Sequence, residues 1–236
     1  MTSTENANVT RKTAALVAGL SIFLMAILAG FAYGYVFAEL VQPGNATATM
    51  SNLSHSPGIF RAGVFSWLLI VVCDILAAWA LYVIFKNINT GLALLSTWFR
   101  LVYAAILGAG LLNFVVVLLL IHGDQEYLKM LPPSLMSAQV LLFLNAFDKF
   151  FSISLVVFGF HLVILSYLVY RSLYIPRFIA ILLFVAALGY ILTNSASLLF
   201  EGYQPYKEVI EMIFSIPMVL GELGLGGWLL FKAKTI

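Results

Sequence analysis

Six apolar stretches, each long enough to cross a bilayer, limit what this chain can fold into more than any other feature it has. A spanning helix needs about 20 apolar residues at 1.5 Å each, and such runs occur at residues 13–41, 60–86, 91–122, 139–171, 175–200 and 209–231. Their ends carry physical stops. Gln42-Pro43-Gly44-Asn45, Lys86-Asn87-Ile88-Asn89, His122-Gly123-Asp124, Arg171-Ser172 and Gly202-Tyr203-Gln204-Pro205 combine polar or charged groups with residues that break helices. The expected fold class is therefore all-α: a polytopic membrane protein, a six-helix transmembrane bundle forming one domain over residues 1–236. Short turns predict that sequence neighbours pack as antiparallel hairpins.

Composition excludes the main alternatives. Apolar residues make up 63% of the chain and charged residues only 9%, with a mean hydropathy of +1.05, whereas soluble domains carry roughly one-quarter charged residues. A net charge of +2, with no basic run beyond Arg11-Lys12 and the Lys232/Lys234 tail, gives no footprint for nucleic acid. The single cysteine, Cys73, cannot form an intrachain disulfide and reads as a small packing residue. The first run continues far past the length of a signal-peptide core and reads as a retained helix. The segment 42–59, rich in Thr, Asn, Ser and Gly, is expected to be irregular.

The fourth run poses a length problem. From Pro132-Pro133 to Arg171, one helix would measure about 57 Å against a hydrocarbon core of about 30 Å. Residues 134–147 are expected to extend outside the bilayer or along its interface, with Asn145 to Lys149 marking the crossing point. Orientation follows from basic residues. With the N-terminus inside, Arg11, Lys12, Lys86, Arg171, Arg177, Lys232 and Lys234 face the cytoplasm, against Arg61, Lys129 and Lys207 outside. Seven against three predicts both termini in the cytoplasm.

An ionisable group within a span costs a few kcal/mol or more unless paired or hydrated, so such residues mark candidate sites. Asp74 lies twelve residues from Lys86, Arg100 nine from Gly91, His161 ten from Arg171 and Glu222 ten from Lys232, which puts all four about 14–18 Å deep. They share one middle layer as ligand-binding candidates. The tight turn near Ile88 sets residue 100 opposite about residue 77, one helical turn from Asp74, so an Asp74–Arg100 pair is geometrically easy. Two readings fit: a clasp between two helices, or an Arg that holds an anionic group with Asp74 keeping it in place. Glu222 stands among Gly221, Gly224, Gly226 and Gly227, either hydrogen-bonded across a close helix contact or acting as a proton- or cation-carrying acid. His161 reads as a hydrogen-bonded packing residue, since no metal-ligand spacing surrounds it. No metal or cofactor is implied.

Nearer the outer surface lie Glu39, Arg61, Asn113, Asp148, Lys149, Asn194 and Glu201. Tyr190, Asn194, Ser197 and Glu201 recur on one helical stripe, and Asn145, Asp148, Lys149 and Ser152 on another. Facing stripes would make an outer polar cleft; snorkelling and interhelical hydrogen bonds account for the same residues without one. Gly30-x-x-x-Gly34 offers a small-residue face for an oligomer or a partner subunit.

Arg11-Lys12 before the first helix, Ser56-Pro57-Gly58-Ile59-Phe60-Arg61 entering the second, Trp98-Phe99-Arg100 in the third, and Gly221-Glu222-Leu223 with Trp228-Leu229-Leu230 in the last carry a resemblance. Over nearly its whole length the chain resembles the bacterial membrane family named domain of unknown function 4386. The resemblance implies the helical architecture and a prokaryotic cytoplasmic membrane, and no mechanism. Three functions compete on the residues. A binder or transporter of a small, anionic or lipid-like ligand, touching the lipid bilayer and no nucleic acid, predicts a cavity at Arg100. A non-enzymatic partner or regulatory subunit predicts a closed interior. An intramembrane enzyme predicts His161 and Glu222 within hydrogen-bond reach of each other.

Overall fold

A computed structural model describes residues 10–122 and 126–233, with the side chains of Tyr127, Glu201, Gln204, Pro205, Lys207 and Glu208 outside the description. The expected stops at Gly123 and Asp124, and Lys234, also lie outside the described residues. Six long helices are apolar enough to span a membrane: α1 Arg11–Leu40, α2 Pro57–Phe85, α3 Thr90–His122, α4 Pro133–Arg171, α5 Arg177–Leu199 and α6 Lys207–Lys232. No strand occurs among the described residues. The chain is a multi-pass helical membrane protein.

Each helix packs on its neighbours in sequence, and α6 closes back on α1, so the six form a ring. Glycines set the closest approaches. A Cβ added at Gly19 of α1 would lie 2.5 Å from Leu230 Cγ and 2.8 Å from the Gly226 carbonyl oxygen of α6. At Gly159 of α4 it would meet Ile191 Cγ1 of α5 at 2.5 Å, and at Gly221 of α6 the backbone of Leu182 and Leu183 at 3.2 Å. A bare backbone admits the facing helix where any side chain would hold it off. At the basic end of the ring, Trp228 Nε1 donates to the Tyr174 carbonyl at 2.9 Å, tying α6 to the turn between α4 and α5.

One expectation needs correction. Segment 42–59 is not irregular, because Ala46–His55 is a helix. Asn45 Oδ1 caps it by accepting from the Ala48 amide at 3.0 Å. Gly44, at φ +76°, makes the turn before the cap, and Thr49 and Leu53 form its buried face. The fourth run is continuous, and its length carries the N-terminal part past a single crossing: α4 is one unbroken helix of 39 residues, more than a hydrocarbon core of about 30 Å needs. Its first half is held inside the fold, because Val140, Leu144 and Phe147 are buried and pack where the end of α3 and the Ala46–His55 helix cover them.

Phe147 belongs to an aromatic cluster that fills the ring at the end opposite the basic residues. Its ring centroid lies 4.0 Å from Phe114, 5.2 Å from Trp67 and 6.1 Å from both Phe37 and Phe151. Phe60 completes the group at 5.9 Å from Phe114. Over Gly30–Phe37, at this same level, α1 winds as a π-helix, a feature frequent near functional sites. Gly30 and Gly34 face open space, with nothing near an added Cβ.

Candidate functional site

Beneath the aromatic cluster, the ring encloses a cavity of about 450 Å³ to which all six helices contribute. Asp74 enters from α2, Arg100 and Tyr103 from α3, Phe158 from α4, Tyr190 from α5 and Glu222 from α6. The spacing that made an Asp74–Arg100 pair easy is realised: Arg100 Nη2 donates to Asp74 Oδ1 at 2.7 Å, and both side chains are buried. Arg100 Nη1 donates to His161 Nε2 at 3.2 Å. The guanidinium also lies 5.3 Å from the Phe158 ring centroid.

The partners of His161 fix its tautomer. A carbonyl oxygen only accepts and a guanidinium only donates. Nδ1, 2.9 Å from the Ser96 carbonyl, therefore carries the proton, and Nε2 presents its lone pair to Arg100. The imidazole is neutral and serves as an acceptor under the arginine. His161 does not line the cavity, so the middle layer divides into three residues at the cavity wall and one supporting them from behind. Replacing His161 by Leu leaves Arg100 Nη1 buried and unpaired, and is expected to cost about 1–3 kcal/mol, read from denaturant unfolding in micelles. Unchanged stability would show that the histidine gives Arg100 no support.

Glu222 accepts a hydrogen bond from the Tyr190 hydroxyl at 2.8 Å, across the contact between α5 and α6 that Gly221 makes close. His161 and Glu222 therefore have separate partners, with the Phe158 ring 5.5 Å from His161 and 5.4 Å from Tyr190. The acid–base convergence expected of an enzyme is not present.

Three buried polar atoms at the cavity wall make no hydrogen bond: Asp74 Oδ2, Arg100 Nε and Trp67 Nε1. Trp67 was not singled out in the sequence, where it reads as apolar. It lies seven residues before Asp74, two helical turns along the same face, and that spacing was the available signal. Met25 was also missed; its sulfur lies 3.9 Å from Arg100 Nη2.

The outer residues do not extend this cavity: none of the six whose side chains are described lines it, and the Glu201 side chain lies outside the description. Most are engaged locally. Asn194 Nδ2 donates to the Tyr190 carbonyl at 2.9 Å, Asn113 Nδ2 to the Gly110 carbonyl at 2.9 Å, and Lys149 Nζ to the Ser197 carbonyl at 3.2 Å. Arg61 meets His122 where α2 begins and α3 ends, while Glu39 and Asp148 are exposed. Of the two expected stripes, Tyr190 reaches the cavity wall and Lys149 meets Ser197 between α4 and α5, while Asn194 and Asn113 bond to carbonyls of their own helices. A second depression, about 420 Å³ on the outward face of α4 and α5, has no charged side chain in its lining.

Comparison with known proteins places this geometry in a family. An uncharacterized protein of Archaeoglobus fulgidus is 30% identical over 185 residues, covering 78% of this chain and 90% of that protein. No solved structure matches. The sequence model of the family described as Domain of unknown function (DUF4386) matches residues 17–233. Matched from within its first span to the end of its last, this chain belongs to the DUF4386 family.

Proposed function

We propose that this protein binds a small or lipid-like molecule at the polar wall of the ring cavity, as the loading step of transport or sequestration in a prokaryotic cytoplasmic membrane, with both termini in the cytoplasm. One observation carries the reading: a cavity of about 450 Å³ lies directly against Asp74, Arg100 and Glu222. Its size falls within the range of about 300–1,000 Å³ usual for small-molecule sites, and its lining is mostly apolar with a few convergent polar groups, as such sites are. A subunit whose ionic pair only fixed helix packing would have no use for open space beside that pair. An enzyme using His161 and Glu222 would need the two brought together, and they are held apart by different partners.

Protein extracted with its native lipids is expected to carry a small molecule that an Ala29→Trp variant does not, since Ala29 lines the cavity and indole would fill it. Mass spectrometry of the compounds released from each decides the matter. Identical profiles from two monodisperse preparations would refute ligand binding at this site.

A further inference from the structure

The cavity is closed along its axis and open at one side. Toward the end opposite the basic residues, Trp67, Phe114 and Phe147 fill the ring as fully buried side chains. Toward the basic end, Leu225 and Leu229 are buried against α1, where an added Cβ at Gly226 would lie 3.0 Å from Ile22 Cγ2. Of all the residues lining the cavity, only Ala26 of α1 and Val219 of α6 are exposed, Val219 at 54%. They face each other across one seam. α1 and α6 run antiparallel with Ile22 against Gly226, so each step outward on α1 meets a step back on α6, and Ala26 and Ala29 oppose about Glu222 and Val219.

The two helices touch through Gly19 and Gly226, and beyond them the cavity lining reaches the exposed Ala26 and Val219. Just past this opening α1 winds as a π-helix from Gly30, and α6, though helical throughout, lacks one backbone hydrogen bond at Pro217, which cannot donate to the carbonyl one turn earlier. Because this seam lies at mid-span, its mouth faces hydrocarbon rather than water.

The wall chemistry restricts what can enter. Arg100 already gives Nη2 to Asp74 and Nη1 to His161, leaving Nε as its one nitrogen without a partner. Beside it, Asp74 Oδ2 accepts no hydrogen bond of regular geometry, the Tyr103 hydroxyl standing by the same carboxylate. An anionic head would meet a guanidinium that is already neutralised, with the carboxyl groups of Asp74 and Glu222 close by. A cationic head would stand against Arg100. A neutral group that both accepts and donates satisfies both orphaned atoms at no charge cost. Trp67 Nε1 leaves a further donor two helical turns along the same wall.

We infer that the occupant is a neutral membrane-dissolved amphiphile whose head is a hydroxyl or primary amide, admitted from the lipid between α1 and α6 at Ala26 and Val219. This rests on the ligand-binding reading and names its substrate class and route. It takes a neutral head in preference to the anionic group that the sequence also allowed at Arg100, because the arginine is already engaged by Asp74 and His161.

The test uses the full chain in lipid nanodiscs with long-chain probes carrying a photoreactive diazirine and one of four heads: hydroxyl, primary amide, carboxylate or trimethylammonium. The hydroxyl and amide probes are expected to label cavity residues at least about tenfold more than the two charged probes, given what an unpaired buried charge costs. Val219→Trp and, separately, Ala26→Trp are expected to abolish that labelling. A carboxylate or trimethylammonium probe that labels as well as the alcohol overturns the neutral-head assignment. Labelling unaffected by either tryptophan overturns the route. If none of the four probes labels the cavity, the ligand-binding reading fails along with both.

Discussion

Asp74→Leu is expected to cost the fold about 3–5 kcal/mol, Arg100→Leu distinctly less, and the double replacement less than Asp74→Leu alone. The order follows from what each single change leaves behind. Without Asp74, a guanidinium that cannot release its proton is left 2% exposed at mid-span with the neutral His161, the Phe158 face and the Met25 sulfur beside it and Glu222 across the cavity. Without Arg100, the carboxyl of Asp74 can take up a proton and become a neutral group. Removing both leaves no charge to strand, and well-packed apolar replacements of buried ion pairs are often tolerated. Thermal unfolding of the three variants in one detergent measures the order directly, and the coupling is the departure from additivity. Additive losses would mean that the pair, though 2.7 Å apart, is not an energetic unit.

The second large effect is expected at Gly19. Even Gly19→Ala would place its Cβ 2.8 Å from the Gly226 carbonyl oxygen, a backbone atom that no side-chain rotation can move, so overpacking of about 1–3 kcal/mol follows. Gly19→Leu would push α6 away from α1 and widen the cavity. Gly30→Ala and Gly34→Ala serve as controls, since each faces open space and their replacement is expected to leave monomer stability unchanged within about 0.5 kcal/mol. Unfolding by denaturant, paired with cross-linking of cysteines placed at Ala15 and Ala233, separates loss of stability from parting of the helices. A Gly19→Leu protein as stable as the parent would contradict the close contact.

What the sequence disclosed and what it withheld divide along a physical line. Local geometry was readable. Apolar runs gave the six spans, and a four-residue turn fixed the opposition of Asp74 and Arg100, because counting residues along two antiparallel helices needs no knowledge of the rest of the fold. Contacts between helices far apart in sequence were not readable. Nothing in Gly19 or Gly226 announces that α6 returns to α1, and Tyr190 was placed in an outer stripe because its partner Glu222 lies 32 residues away on another helix. The Ala46–His55 helix was hidden by a polar composition that suggests loop, although Asn45 and the Thr49/Leu53 spacing spelled out a cap and a face. The excess length of α4 was readable, since 39 residues exceed one crossing; that the aromatic cluster around Phe147 gives the extra turns a core of their own was not.

The closing of α6 onto α1 also sets an order of assembly. Chains are made from the N-terminus, and the Asp74–Arg100 pair joins neighbouring helices, so it can form while the second half is still being synthesised. The cavity cannot. Until the last helix arrives, the ring is an open trough whose charged wall faces lipid, without Glu222 and without the Gly19–Gly226 seam. In biosynthetic terms closure of the cavity is the final event of folding. A nascent chain halted before residue 207 would hold its ionic clasp complete while enclosing no interior.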